Sequence, residues 1–425
     1  MQAVKATAGA ISRGYGFVKR QQRDWKISAG RSNIHWFLHR LINPYLSIYI
    51  MALGATATQL GIINSIGMVM AGLVSPFIGT LIDRIGVKRI YLLTITMLSI
   101  SYLVYGISQS WVIAIIAMVA YWLGNSPSTQ ACGVICANSL ASEERATGMA
   151  LCETVGLGAI GIIAPMAGAS LVAAFGGINV SGIRPIFFIC LAGTIGTFFL
   201  ILSQLSDRRW GSAAGVSPNF FKGLSEVFKK GHNLKRWIFI SAITSLPMGM
   251  TNPFRQVFAH DIKGADEYIL GAMVMGAGIM PILFGVIMGR LADRIGRKKL
   301  IYASMPFVWL SNLILIWAPN PGWLVVAGAL QGFFMLSGLP ERAMSRELVP
   351  PDQMGRWLGI LDFAKMMFSA LSVYLGGVIW DHIGPQYVFL VIIGTDILIR
   401  IPLLLGMPET LRLPSAPTNN EKGNL

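Results

Sequence analysis

Twelve predominantly apolar stretches, each of roughly 20 residues, follow one another along the chain and are separated by short polar breaks. A helix of about 20 apolar residues crosses the hydrocarbon core of a bilayer, so each stretch predicts one transmembrane helix. Only 12% of the residues are charged, which is about half the share found in a soluble domain. The sequence therefore predicts an all-α protein that crosses the membrane many times.

The predicted spans form two groups of six, and we number them spans 1 to 12. The first group covers 32–54, 58–82, 90–108, 111–138, 147–174 and 185–204, and the second covers 236–258, 267–289, 300–318, 322–343, 355–379 and 386–406. The expected organisation is a basic arm at 1–31, a first bundle at 32–204, a linker at 205–235, a second bundle at 236–406 and a tail at 407–425. In the linker, Phe and Lys alternate at helical spacing between Phe220 and Lys230, which predicts an amphipathic helix in the membrane interface.

The basic residues predict the orientation of these spans. Of the 34 Lys and Arg residues, only Arg184, Arg255 and Lys263 fall in or beside the loops on one side, and three more fall within spans. The others lie on the opposite side, which the positive-inside rule assigns to the cytoplasm. We therefore expect a multi-pass protein of the plasma membrane with both termini in the cytoplasm. The net charge of +15 lies in these loops, so it predicts topology and no nucleic-acid partner.

One charged loop occurs twice, as GTLIDRIGVKRI at 79–90 and as GRLADRIGRKKL at 289–300. The first copy follows span 2 and the second follows span 8. Two further pairs keep nearly the same offset, namely Asn43-Pro44 with Asn252-Pro253 and Gly61 with Gly271. The chain therefore consists of two related halves, a construction found in one large class of secondary transporters.

The two loops resemble the G-x-L-x-D-R-x-G-(R/K)-(R/K) motif of the major facilitator superfamily, and they stand where that family places it. The resemblance implies twelve transmembrane helices in two pseudo-symmetric six-helix bundles around a central cavity. It also implies transport by alternating access. The candidate residues of a cytoplasmic gate are Gly79, Asp83, Arg84, Gly86, Arg89, Gly289, Asp293, Arg294, Gly296 and Lys298.

Physical chemistry gives these loop residues specific roles. Gly79 and Gly289 are expected to let two helices approach closely, because glycine has no Cβ. Asp83 and Asp293 are expected to accept hydrogen bonds from the first turns of spans 11 and 5 in the opposite half, where the helix dipole favours an anion. A role of the cations in topology alone is compatible with this gate.

Polar residues within the spans are the candidates for substrate binding, because such groups are costly in a membrane and usually face the interior. Span 1 carries His35, His39, Asn43 and Ser47 at steps of four, which places them on one helix face. His35 and Arg40 have an alternative role near the cytoplasmic end, where they would extend toward the headgroups. In the family that the chain resembles, spans 1, 4, 7 and 10 line the cavity. This selects His39, Asn43, Asn125, Gln130, Asn252, Arg255 and Gln331.

Three charged residues in spans 5 and 11 are candidates for proton coupling. Glu153 and Asp362 occupy nearly equivalent positions in the two halves, each about 10–12 Å inside its helix. A carboxylate at such a depth is costly in its ionised form, which suits a group that binds and releases a proton. Lys365 is expected to keep Asp362 ionised, which leaves Glu153 as the proton carrier. A fixed ion pair between the bundles is the alternative.

These features predict a secondary active transporter that moves a small organic solute, as a proton-coupled exporter. The segment from Ala164 to Ala169 is a softened form of an exporter motif, while span 4 lacks the arginine that proton-coupled members often carry. The alternatives are a proton-coupled importer of an organic anion and a receptor or scaffold that has kept the fold without transport. No nucleotide-binding, HExxH or nucleophile-elbow motif is found, so we expect neither an enzyme, a cofactor nor a metal site. The expected partners are the solute, protons and the bilayer, and a monomer is plausible.

Overall fold

The computed structural model describes residues 17–140, 161–207, 234–347 and 354–407. Each of the twelve expected spans contains helix, span 5 in its second part, and the described residues form no strand. In the first half the helices are Arg23–Ile42 and Leu46–Ala52 in span 1, then Ala57–Ile85, Val87–Ile107, Trp111–Ser139, Gly161–Ala174 and Val180–Gln204 in spans 2 to 6.

The second half follows the same plan. Its helices are Leu234–Val257 with a π-helical turn at Phe258–Ile262 in span 7, then Glu267–Ile295, Arg297–Trp317, Gly322–Glu347 and Met354–His382 in spans 8 to 11. Span 12 consists of Pro385–Thr395, a π-helical turn at Asp396–Arg400, and Ile401–Leu405. Among the described residues, eight helices are long and apolar enough to cross a membrane, and the apolar parts of spans 5 and 10 are shorter.

Span 1 differs from its expected bounds at its beginning and near its middle. Its helix begins at Arg23, and Trp25 and Arg31 are buried in it, so the last residues assigned to the basic arm belong to the bundle. The helix is then interrupted from Asn43 to Tyr45. Pro44 has no N–H to donate to the preceding turn, which explains the break.

The packing of the spans repeats between the halves. Spans 2 and 3 pack on span 4 in the first half, as spans 8 and 9 pack on span 10 in the second. Span 1 likewise packs on span 5, and span 7 packs on span 11. The halves meet where span 2 packs along span 11 and where span 5 packs against span 8. The two bundles therefore contact each other through equivalent pairs of helices.

Glycines set the close approach at both of these junctions. A Cβ on Gly61 in span 2 would lie 2.7 Å from the carbonyl oxygen of Val373 in span 11. A Cβ on Gly271 in span 8 would lie 2.8 Å from the carbonyl oxygen of Pro165 in span 5. Real side chains do not reach such distances, so both positions require glycine while the halves are packed in this way.

The repeated loops have the same backbone in both halves. Gly86 lies between the helices of spans 2 and 3 with φ +86° and ψ 155°, and Gly296 lies between spans 8 and 9 with φ +105° and ψ 146°. This region of backbone space is accessible almost only to glycine. A Cβ on Gly289 would meet no described atom within 4 Å, so the described residues show no close packing at this position.

Candidate transport site

Two histidines of span 1 contact span 4 inside the first bundle. His35 Nε2 donates to Asn125 Oδ1 at 2.9 Å, and His39 Nδ1 lies 2.7 Å from the hydroxyl of Tyr121. The rings of His39 and Tyr121 are stacked with centroids 6.0 Å apart. His35 and His39 are four residues apart in span 1, and their partners Asn125 and Tyr121 are four residues apart in span 4. The sequence selected His39 and Asn125 but missed Tyr121, because a tyrosine in an apolar stretch resembles a packing residue.

Span 1 also contacts the second half. The side chain of Arg40 is 5% exposed, and its Nη1 donates to the carbonyl oxygen of Val274 in span 8 at 3.3 Å. The hydroxyl of Tyr45 donates to the carbonyl oxygen of Glu267 at 3.0 Å. Arg40 therefore points into the contact between the halves, and the alternative of extension toward the headgroups does not hold for it. Asn43 is half-buried at the break in span 1.

Arg255 organises a polar cluster in the second bundle. Its Nη2 donates to Asn312 Oδ1 at 2.6 Å and to Gln331 Oε1 at 2.9 Å, and its Nη1 donates to Ser311 Oγ at 3.1 Å. The side chain is 5% exposed. Within the described part of the chain, no carboxylate lies within ion-pair distance of it. The structure thus brings Arg255 and Gln331 together and leaves Asn252 exposed on the same helix.

An ion pair with a buried carboxylate joins spans 10 and 11. Lys365 Nζ lies 3.0 Å from Glu341 Oε1, and the glutamate side chain is 7% exposed. Lys365 thus has Glu341 as an ion-pair partner, a residue that the sequence analysis did not select. The sequence feature that could have identified Glu341 is its position as an acidic residue within predicted span 10. Asp362 lies exposed on span 11, and Glu153 lies outside the described residues.

The candidate gate is described in part. Lys298 of the second loop donates to the carbonyl oxygens of Leu405 and Met407 at 2.9 Å each, and Lys88 of the first loop lies 3.5 Å from Asp207 Oδ2. Both lysines thus contact the end of the last span in their own half. Three arginines of the loops are exposed, namely Arg84, Arg89 and Arg294, and Gly79 lies within the helix of span 2. The side chains of two gate residues, Asp83 and Asp293, are outside the described part. The same holds for Gln130 of span 4.

A contact at the opposite end of the molecule was not expected from the sequence. Asp381 Oδ2, in the last turn of span 11, accepts a hydrogen bond from the backbone N–H of Thr58 at 2.8 Å. Thr58 lies in the first turn of span 2. Since the N-terminal end of a helix carries partial positive charge, a carboxylate is stabilised there. Asp381 therefore joins the two halves at the ends of the helices that already pack along each other.

A charged pair also lies inside span 12. Arg400 Nη1 lies 3.5 Å from Asp396 Oδ1, and both side chains are buried. Trp309 Nε1 of span 9 donates to the second carboxylate oxygen at 2.9 Å. The pair therefore joins span 12 to span 9, as a structural contact inside the second bundle.

Comparisons with known proteins agree with this architecture. A family model described as Major Facilitator Superfamily matches residues 32–280 and 237–423. The multidrug resistance protein MdtG of Escherichia coli K12 is 25% identical over 305 residues, which cover 69% of this chain and 71% of that protein.

Solved structures share the fold at lower sequence identity. The nucleoside transporter NupG superposes with a TM-score of 0.69 and 14% identity, over 91% of this chain and 100% of that one. The D-xylose-proton symporter superposes with a TM-score of 0.71 and 12% identity, over 90% of this chain and 97% of that one. The human organic anion transporter MFSD10 (TETRAN) superposes with a TM-score of 0.66 and 15% identity, over 90% of this chain and 100% of that one. With its repeated loops, its paired bundles and a family model that matches most of its length, the chain belongs to the Major Facilitator Superfamily, whose members matched here transport small solutes.

Proposed function

We propose that this membrane protein exports a small organic solute in exchange for protons. The observation that carries the proposal is the ion pair of Glu341 and Lys365 between spans 10 and 11. A proton that binds the carboxylate removes its negative charge, so the attraction that holds the lysine in place is lost. An ion pair between two helices can in this way link proton binding to a change in their packing.

The outward direction is supported by the packing of span 5. A Cβ on Gly168 would collide with the carbonyl oxygen of Leu41 in span 1, and the carbonyl oxygen of Pro165 lies against Gly271 in span 8. The softened exporter motif therefore lies where spans 1, 5 and 8 meet. The similarity to a multidrug resistance protein also favours export.

The solute site that we propose lies between spans 1 and 4 and extends to the polar cluster of the second bundle. His39 and Tyr121 offer ring faces and hydrogen-bonding atoms. One turn away, His35 adds a second imidazole and Asn125 adds an amide. Such a combination suits an organic solute with a flat apolar part and a few polar groups. Gln130, Asn252 and Glu153 stay in the proposal as residues that the sequence selects.

The orientation that we propose places both termini and the repeated loops in the cytoplasm, with the plasma membrane as the location. The charge distribution supports this, because the basic residues lie almost entirely on one side. Asp381 and Thr58 then lie at the outer face, opposite the gate loops.

Uptake of an organic anion is the second candidate, and two buried arginines favour it. Arg40 and Arg255 are each 5% exposed, and neither has a carboxylate within ion-pair distance in the described ranges. Uncompensated cations inside a membrane protein attract anions. The similar fold of the human organic anion transporter MFSD10 is compatible with this candidate.

Purified protein in liposomes that contain a pH-sensitive dye tests the proposal. Pools of organic cations, organic anions and neutral solutes are added outside at equal pH. Antiport predicts that an entering solute drives protons out, so the interior becomes alkaline. Glu341→Gln is expected to lose this response, and Asp207→Asn, which alters an exposed ion pair, is expected to keep it.

The other outcomes separate the alternatives. Acidification of the interior would indicate symport and the uptake of an anion. An unchanged response in Glu341→Gln would remove this residue as the carrier and direct the same test to Glu153→Gln. If broad pools move neither protons nor solute, the alternative that stands is the receptor or scaffold.

A further inference from the structure

Arg31 is a buried cation that the transport site does not use. It lies in the first part of span 1, and 2% of its surface is exposed. Its Nε and Nη2 atoms are buried and have no hydrogen-bond partner among the described residues. Its guanidinium carbon lies 4.8 Å from the ring centroid of Tyr91 in span 3.

A small cavity lies beside this arginine. Three helices of the first half line it, with Arg31, His35 and Leu38 from span 1, Ile95 and Leu98 from span 3, and Thr194 and Thr197 from span 6. The volume within it is about 10 Å³, which is room for about one group the size of a water molecule. Pockets for drug-sized molecules hold about 300–1,000 Å³. The cavity is therefore far too small for the transported solute, and a single small ion is the largest ligand that suits it.

The walls of the cavity leave the positive charge uncompensated. Thr194 Oγ1 donates to the carbonyl oxygen of Leu191, and Thr197 Oγ1 donates to that of Gly193, so both hydroxyl protons are used. No carboxylate is among the lining residues. A cation over an aromatic ring gains about 2 kcal/mol when desolvated, which is less than the several kcal/mol needed to bury an ion in practice. An anion is the group that this arginine lacks.

We propose that the cavity binds one small monovalent anion, with chloride as the representative. Nε and Nη2 form the side of the guanidinium that presents two parallel N–H groups to a single acceptor. Arg31 is the one cation of permanent charge among the lining residues, which matches a single negative charge. Leu38, Ile95 and Leu98 give an apolar wall, and a weakly hydrated halide loses less hydration free energy there than a divalent oxyanion.

The position of the site connects it to transport. His35 lines the anion cavity with its ring and donates to Asn125 of span 4 with Nε2. An anion next to Arg31 therefore neutralises the charge one helical turn from a residue of the solute site. The anion site is separate from the route between the halves, because every residue that lines it belongs to the first half.

Thermal unfolding of the purified full-length protein in detergent tests this site. The melting temperature is measured at constant ionic strength while sodium gluconate is replaced by sodium chloride, bromide or nitrate. A ligand that binds the folded state raises the melting temperature by about 1–3 °C at saturation. We expect a saturable rise in the wild type, its loss in Arg31→Gln, and its retention in Lys88→Gln, which changes a cation of the loop.

A second measurement does not depend on the stability of the variant. Crystals of the wild type soaked in bromide are expected to give an anomalous peak within about 3.5 Å of Nε and Nη2 of Arg31. A melting temperature that does not change with any of the anions, or a cavity without bromide, would overturn the proposal. So would a rise that appears with phosphatidylglycerol vesicles and not with chloride, since it would assign Arg31 to a lipid phosphate.

Discussion

Single charged residues in this protein depend on partners from other helices. Glu341 is buried against Lys365, and Asp396 is buried against Arg400 and Trp309. Each of these groups is costly inside a membrane unless a partner compensates its charge. The residues therefore act as pairs, and a substitution at one member changes the environment of the other.

A double-mutant cycle measures the pair of spans 10 and 11. Glu341→Gln is expected to destabilise the protein because it leaves Lys365 without its counter-ion, and Lys365→Met in the same chain is expected to recover much of the loss. The coupling free energy should be about 1–3 kcal/mol. The readout is the free energy of unfolding in detergent.

The exposed pair of Lys88 and Asp207 provides the control cycle. Its aspartate is 83% exposed, so its coupling should stay below about 1 kcal/mol. Equal coupling in the two cycles would show that burial does not strengthen the pair of Glu341 and Lys365.

Two glycines of the repeated loops carry a second prediction. Gly86→Ala and Gly296→Ala should each destabilise the protein by about 1–3 kcal/mol, because alanine is strained at their backbone angles. Gly196→Ala in span 6 is the control, since a Cβ there meets no described atom within 4 Å. Melting temperatures of the three variants check this. A loss of stability in Gly196→Ala as large as in the loop variants would contradict the backbone explanation.

Sequence alone identified some of these residues and missed others for a physical reason. His39 and Asn125 were selected because polar groups in apolar stretches are conspicuous, and the structure shows both in contacts between spans 1 and 4. Tyr121 and Glu341 were missed because their roles depend on which helix faces them, and a single sequence does not contain that information. Arg31 was assigned to the basic arm, although Ser28 and Ser32 beside it continue the polar stripe of span 1 by further turns.

At the scale of helices, contacts at the ends of the spans join the two halves, as contacts along the helix faces do. Thr56 caps the first turn of span 2 by accepting a hydrogen bond from the N–H of Gln59, and the N–H of Thr58 in the same turn is bound by Asp381 of the other half. The first turn of span 8 is bound instead by Asp266 of its own half, whose Oδ1 accepts from Ile269 N–H at 2.8 Å. The two halves thus use equivalent helix ends differently, and the cap on span 2 alone depends on contact between the halves.

This difference gives a prediction with a built-in control. Asp381→Ala should loosen the contact between spans 2 and 11, because the first turn of span 2 loses its acceptor from the other half. Spin labels at Ile66 and Ile383, both exposed, should report a larger population of long distances in this variant. Asp266→Ala should leave that distribution unchanged, since its hydrogen bond stays within one half. A change of equal size in both variants would assign the effect to general loss of stability.

The helices themselves were predicted closely, since each expected span contains helix in the described ranges. Their ends were predicted less well. Hydropathy marks where a helix enters lipid, whereas the helix of span 1 begins earlier, at Arg23. In its first turn, Asp24 accepts a hydrogen bond from the backbone N–H of Ser206 at 3.1 Å. The break at Pro44 is visible in the sequence only as a proline, and spans 4, 6 and 8 contain prolines without an interruption.

At the scale of the whole molecule, the duplication explains the arrangement of the halves. Gly61 and Gly271 occupy equivalent places and permit equivalent contacts, of span 2 with span 11 and of span 8 with span 5. A molecule built in this way can exchange the contacts at one end for those at the other, which is the basis of alternating access. The sequence predicted this symmetry from the spacing of its repeated loops.

Solute accumulation driven by a pH gradient tests the central claim most directly. Liposomes with the purified wild-type protein are prepared with an acidic or an alkaline interior, and uptake of a solute found in the pool assay is followed. Exchange for protons predicts accumulation in acidic liposomes and its loss when the gradient is collapsed, whichever way the protein is inserted. Accumulation in alkaline liposomes alone, or uptake that ignores the gradient, would contradict the account.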